Sequence, residues 1–369
     1  MAKYNINEKA ILTDSGGRTL TAESLTHTGT FTATNTNETL TPDYFTNYFA
    51  ASHVFQGSTS GYNAGGGFPI ATQGSIIDKY PFATDANATD VGDLSLLKNV
   101  AAGQSSNANG YASGGTANPG QGYGPGSNPS TVGEIDKYPF ASDGNATDIG
   151  DLYARINSAV GQSSADNGYL SGGTTTYPAP GQVSTEPFTN NSTIIQKFPF
   201  ASDTNGSNVG DLTEGRKKPA GQSSSTHGYN AGGLQPPLYL NTIDKFTFAS
   251  DANATDVGDL TNGYFDAMGQ SSSSSGYSSG GNTTPPFQLR DTIEKFPFAT
   301  DANASNVGSL TSARDEAGSS SSTASGYTAG GRNPGYTNII DKFPFASDGT
   351  ASDVGDLTSN RGQIAGAQV

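Results

Sequence analysis

One sentence of residues recurs six times along this chain of 369. It reads Gly-Tyr-x-x-Gly-Gly, a gap of variable length, then Ile-x-Lys-aromatic-x-Phe-Ala-Ser/Thr-Asp and a closing Val/Ile-Gly-x-Leu. The Gly-Tyr pairs begin at Gly61, Gly110, Gly168, Gly228, Gly276 and Gly326, and the second words at Ile77, Ile135, Ile195, Ile243, Ile293 and Ile340. Successive copies lie roughly 50 residues apart, the period of a β-propeller blade rather than of a helical array. The repeat constrains residues 51–369 to a closed all-β ring and leaves residues 1–50 as an N-terminal extension.

Within one copy the strands are legible. Thr242-Ile243-Asp244-Lys245-Phe246-Thr247-Phe248 alternates with the period of two of a half-buried strand. Gly228-Tyr229-Asn230-Ala231-Gly232-Gly233 reads as a strand of small residues ending in a pair able to take positive φ. Asp251 to Asp256 is an Asp/Asn turn, Val257-Gly258-Asp259-Leu260 begins the outer strand, and Met268-Gly269-Gln270-Ser271-Ser272 precedes the next Gly-Tyr. Each copy therefore supplies four antiparallel strands. The C-terminal Ile364-Ala365-Gly366 aligns with the start of such an innermost strand and is expected to pair into the first blade, with Phe55-Gln56-Gly57-Ser58 competing for that place.

These residues resemble the kelch repeat family of propellers, so the expected fold is a six-bladed kelch-like β-propeller with a short N-terminal extension. The Gly-Gly pairs match in all six copies, as do the aromatics Tyr80, Tyr138, Phe198, Phe246, Phe296 and Phe343. The basic residue of the kelch pattern is read at Lys98, Arg155, Arg216, Arg314 and Arg361, with Tyr264 in the remaining copy. The kelch tryptophan is replaced by Val or Ile. A propeller hosts many functions, so the resemblance implies architecture and a partner-binding face rather than an activity.

Composition narrows the chemistry. The formal net charge of −15 opposes nucleic-acid phosphates and anionic lipid, so neither is an expected partner. The chain has no cysteine, which excludes disulfides, thiol catalysis and thiolate metal sites. No apolar run is long enough for a membrane span, and membrane insertion is not expected. The three histidines, His27, His53 and His227, occupy unrelated repeat positions and nominate neither a metal centre nor a nucleophile–base pair. Asp85, Asn87, Asp90 and Asp93 have the oxygen density of a calcium loop. Their counterparts lose charge at Asn208, Asn306 and Ser309, and Asn87 becomes Thr350, so a structural turn is expected, with no metal and no cofactor. The lysine at Lys79, Lys137, Lys197, Lys245, Lys295 and Lys342 is present in every copy and reads as architecture, paired with neighbouring acids. No acid stands out from its repeat position as a catalytic group, and the expectation is a protein that is not an enzyme.

What varies is the loop between the Gly-Gly strand and the Ile-Lys strand. In every copy it combines proline with an aromatic: Phe68, Tyr123, Tyr177, Tyr239, Phe287 and Tyr336. Stiff loops carrying rings suit binding to sugars or peptide surfaces, and these six residues are the candidate binding set. In the extension, Thr41-Pro42-Asp43 has the character of a helix start. A short helix over residues 42–51 would carry Tyr44, Phe45, Tyr48 and Phe49 on one stripe, as a packing or docking surface.

The Ser/Thr/Asn/Gly-rich wording, FPFASDANATDVGDL and GQSS followed by GYxxGG, resembles the kelch-like virion proteins of marine tailed phages. The resemblance implies a virion structural protein of tail-fibre or other appendage type, located in the virion after synthesis in the host cytoplasm and part of an oligomeric assembly. Residues 1–50 would dock to other virion proteins, and the propeller face would meet a host surface glycan or protein. A cellular kelch-type interaction scaffold and a glycan-active propeller enzyme are the alternatives.

Overall fold

The computed structural model describes residues 55–67, 74–117, 130–175, 190–283 and 288–369, together with four two-residue strands nearer the N-terminus. Two compact units divide the chain, Met1–His53 and Val54–Val369. In the first, Leu12–Thr13 pairs antiparallel with Thr19–Leu20, and Phe31–Thr32 with Thr39–Leu40. The helix expected over residues 42–51, with Tyr44, Phe45, Tyr48 and Phe49, lies outside the described residues.

The second unit is a six-bladed β-propeller, and its described residues contain no helix. Each blade is a four-stranded antiparallel sheet ordered from the axis outward. In the fourth blade these strands are Ala220–Ser223, His227–Ala231, Thr242–Thr247 and Thr255–Asp259. The first blade is assembled from both ends of the unit: the C-terminal Ala365–Gln368 takes the innermost place beside Ser60–Ala64, followed by Ile76–Pro81 and Thr89–Asp93. Of the two segments competing to close the ring, the C-terminal one therefore does so. Phe55 to Ser58 has another use: Gly57 bridges parallel to Ser322, Gln56 Nε2 donates to the Ser271 carbonyl (2.9 Å), and Gln368 Nε2 donates to the Phe55 carbonyl (2.8 Å).

The constant words of the repeat are contacts between neighbouring blades. The Gly-Tyr tyrosine is buried in all six copies and lies against both rings of the next blade's aromatic-x-Phe word. Tyr229, for example, stacks on Phe298 at 4.7 Å and tilts against Phe296 at 5.5 Å. Tyr327 closes the circuit onto Phe82 at 4.7 Å. The glycine before the tyrosine has to be glycine because the ring of its own blade's third strand lies across it; a Cβ on Gly228 would enter the Phe246 ring. Burial of apolar rings and offset stacking thus weld blade to blade at a core shared between sheets.

Two further rings of contacts follow from the same register. Every repeated lysine reaches the Asp turn of the next blade: Lys79–Asp143, Lys137–Asp203, Lys197–Asp251, Lys245–Asp301, Lys295–Asp348 and Lys342–Asp85, at 2.5 to 3.0 Å. The turn oxygens serve the backbone as well: Asn253 Oδ1 accepts from Asp211 N (3.1 Å), while Asp256 Oδ1 accepts from Gly258 N (3.1 Å). Deeper in, fully buried ion pairs tie the inter-blade crossings to the third strands: Lys98–Asp136 (3.0 Å), Arg216–Asp244 (3.1 Å), Arg314–Asp341 (2.6 Å) and Arg361–Asp78 (3.0 Å). One basic position differs from the sequence reading. Arg155 is exposed, and the buried place belongs to Ile156. The acid that would have faced it is Gln196, whose amide instead accepts from Ala154 N at 2.7 Å.

Candidate binding site at the mouth of the axial cavity

The innermost strands stand around the propeller axis, and their second residues, Gly103, Gly161, Gly221, Gly269, Ser319 and Gly366, face one another across it. A Cβ on Gly366 would run into the Ser319 carbonyl oxygen, so the tight inner circle depends on glycine there. At one end a closed circuit of hydrogen bonds seals the strands. Ser105, Ser163, Ser223 and Ser271 each donate N–H to the Oγ of the next serine at 2.9 to 3.0 Å, Ser321 N–H goes to Gln368 Oε1 (3.4 Å), and Gln368 N–H returns to Ser105 Oγ (3.0 Å). Phe55 lines the cavity as well, its carbonyl held by the Gln368 side chain of this circuit.

The other end is the mouth. Before each innermost strand the crossing segment must reverse toward the axis, and one residue per blade does so in the left-handed region: Val100, Ser158, Lys218, Asp266, Glu316 and Gln363, with φ between 49° and 59°. A β-branched residue such as Val100 is seldom found there. A second circuit holds all six, each N–H donating to the carbonyl of the previous one: Ser158 to Val100 (3.1 Å), Lys218 to Ser158 (2.8 Å), Asp266 to Lys218 (2.8 Å), Glu316 to Asp266 (3.3 Å), Gln363 to Glu316 (2.5 Å) and Val100 to Gln363 (3.0 Å). The backbone is sixfold here while the side chains are all different. The cavity they rim has a volume of about 130 Å³.

Charge gathers on one side of this rim. Lys218 Nζ lies 2.6 Å from Asp266 Oδ2 and 3.4 Å from Glu316 Oε1, and 5.9 Å above the Phe265 ring. Behind them Arg332 holds Asp315 through two bonds (3.0 and 2.7 Å) and approaches Glu316 at 4.0 Å. Burial pushes the Asp266 carboxyl up to about 7; Lys218 opposes that shift, and the negative charges of Glu316 and Asp315 reinforce it. For Lys218, burial works against the charge, but Asp266 and Glu316 outweigh it and hold the ammonium above its ordinary range.

Two of the six loop aromatics border this cluster. Tyr336 donates its hydroxyl to Glu316 Oε2 (3.3 Å), and the Tyr239 ring lies 5.7 Å from Phe265. Each sits on the second strand of a short hairpin, Leu234–Gln235 with Leu238–Tyr239 and Arg332–Asn333 with Gly335–Tyr336. Phe68, Tyr123, Tyr177 and Phe287 lie outside the described residues. Sequence reading nominated no acid at this position, yet Asp266 and Glu316 stand where other blades carry Val100, Ser158, Lys218 and Gln363. The signal that finds them is register, since every mouth residue lies three positions before the axial Gly or Ser of its innermost strand.

No family model matches this chain, and no curated protein does. Among solved structures, one described as "Structure of YjhT" is similar with a TM-score of 0.58 and 12% sequence identity, over 76% of this chain and 91% of that one. At that identity the likeness bears on the propeller fold alone.

Proposed function

We propose that this protein is a non-enzymatic recognition module of a larger assembly, a virion appendage protein whose propeller mouth binds a surface glycan. The observation that carries the reading is where the sixfold symmetry breaks. The repeated lysines, Asp turns, tyrosines and buried arginines are consumed in joining blades, whereas the mouth presents six different side chains on one backbone geometry. A concave site with convergent polar groups and flanking rings is the ordinary form of a small-ligand site. Phe55 and Gln56 bond to the serine end of the axial strands, away from the mouth, and leave the mouth side chains open to a ligand. The likeness of the repeat wording to kelch-like virion proteins supports the virion setting.

Glycan-array binding by the full chain tests the recognition reading: signal is expected with the native protein and its loss with Tyr336→Ala and Glu316→Gln, and binding unchanged in both variants would remove the mouth as the site. Co-purification with particles tests the setting, and its absence from particles in an infected culture would overturn it. One observation favours a second reading, that of a glycan-active enzyme. A carboxyl that titrates near 7 beside a second acid is the equipment of general acid–base catalysis. Glycan turnover abolished by Asp266→Asn would favour that reading over the first.

A further inference from the structure

Among the described residues the mouth cluster is short of one positive charge. Three carboxylates, Asp266, Glu316 and Asp315, converge with two cations, Lys218 and Arg332. The carboxylate side chains are 9%, 6% and 0% exposed, so water screens the surplus poorly. A further acceptor is idle: Asn282, 6% exposed, donates Nδ2 to Asp315 Oδ2 (3.1 Å), and its buried Oδ1 has no donor. Among the described residues these groups offer more acceptors and negative charge than their own donors satisfy; Lys218, Asp266 and Glu316 bring that surplus to the rim of a cavity with room for one six-membered ring, with Asp315 and Asn282 behind them.

Resting on the reading of the mouth as a glycan-binding face, we propose that its ligand is a terminal amino-sugar residue, whose protonated amine donates to Asp266 and Glu316 and supplies the missing charge. A carboxylate pair suits an ammonium with three donors, and Tyr336, bonded to Glu316, and Phe265, under Lys218, border these charged groups outside the cavity lining, where the rest of a glycan would pass. Without that ammonium a proton on Asp266 lessens the deficit, its carboxyl being pushed up to about 7 by burial, with Lys218 opposing and Glu316 and Asp315 reinforcing the shift. Binding the ammonium expels that proton; Lys218, the resident cation, competes for the same oxygens.

Calorimetry on the full chain with glucosamine and its fully deacetylated trimer, against N-acetylglucosamine and its trimer, tests this. The free-amine ligands are expected to bind at least about tenfold more tightly. Repeating the titration in buffers of different ionisation heat is expected to show proton release near pH 7. Asp266→Asn is expected to abolish the release and weaken the amine ligand about tenfold. Lys218→Gln is expected to tighten amine binding, a gain that a purely structural lysine would not give. Equal affinity for acetylated and free-amine sugars, equal binding of trilysine, binding of calcium alone, or weaker binding in a folded Lys218→Gln variant would each overturn the inference. Should other glycans on an array bind at the mouth while amino sugars do not, the inference falls and the recognition reading stands; should no glycan bind, both fall.

Discussion

Ile156 and Gln196 record, inside one chain, how a buried charge is removed without harm. In four blades the same two positions hold a fully buried ion pair, as in Arg216 with Asp244. In the fifth, Tyr264 takes the basic place, and Arg290 supplies the cation from four residues before Glu294, its guanidinium 3.9 Å over the Tyr264 ring. Removing one partner of such a pair strands a charge in low dielectric, whereas replacing both is often nearly neutral. Arg216→Ile alone is therefore expected to cost about 3–5 kcal/mol in urea denaturation. The double variant Arg216→Ile, Asp244→Gln, copying the third blade, is expected to recover most of that loss. Asp266 poses the opposite case. Its carboxyl titrates higher in the folded protein than in the unfolded chain, so the folded state holds the extra proton between about pH 4 and 7 and stability falls as pH rises through that window. Asp266→Asn is expected to raise the melting temperature at pH 8, by the equivalent of about 1–3 kcal/mol, and to leave it nearly unchanged at pH 4. A loss at pH 8 would show that the Lys218 contact outweighs the burial cost.

Within the elements, the innermost strand is the most demanding stretch of the blade. Gly366 has the Ser319 carbonyl where its Cβ would stand, and Gly103 has the Gly366 carbonyl. Gly366→Ala is expected to destabilise the protein by about 2 kcal/mol or more, because backbone rather than a mobile side chain must give way. At the outer edge the balance reverses. The Asp side chains of the lysine ring are about half exposed, 60% for Asp85, so each bond there is worth about 0–1 kcal/mol. Lys342→Ala is accordingly expected to shift the urea midpoint little. The blade's local wording was legible because alternation, turn residues and Gly-Gly act over a few neighbours. The basic position was misplaced by one residue in the third blade because Arg155 and Ile156 differ only in which of them faces inward, and the crossing's register decides that.

For the whole molecule, closure is the central fact. A ring of sheets hides its edges only if the first blade is completed by the last strand. Deleting Ala365–Val369 bares the edge of Ser60–Ala64 and opens the serine circuit at Gln368. Such a chain is expected to unfold at markedly lower urea concentration and to aggregate by light scattering; native-like stability would mean that Phe55–Ser58 can take the vacant place. Six copies of a blade-length repeat were enough to determine the number of blades, their strands and the structural role of the lysines, since a symmetric contact has to appear in every copy. The mouth was decided by tertiary structure alone. Val100, Ser158, Lys218, Asp266, Glu316 and Gln363 are each about a blade apart in sequence, and only rotation about a common axis makes them neighbours. The backbone repeats there while the chemistry does not, so pattern reading finds nothing conspicuous until the ring is closed.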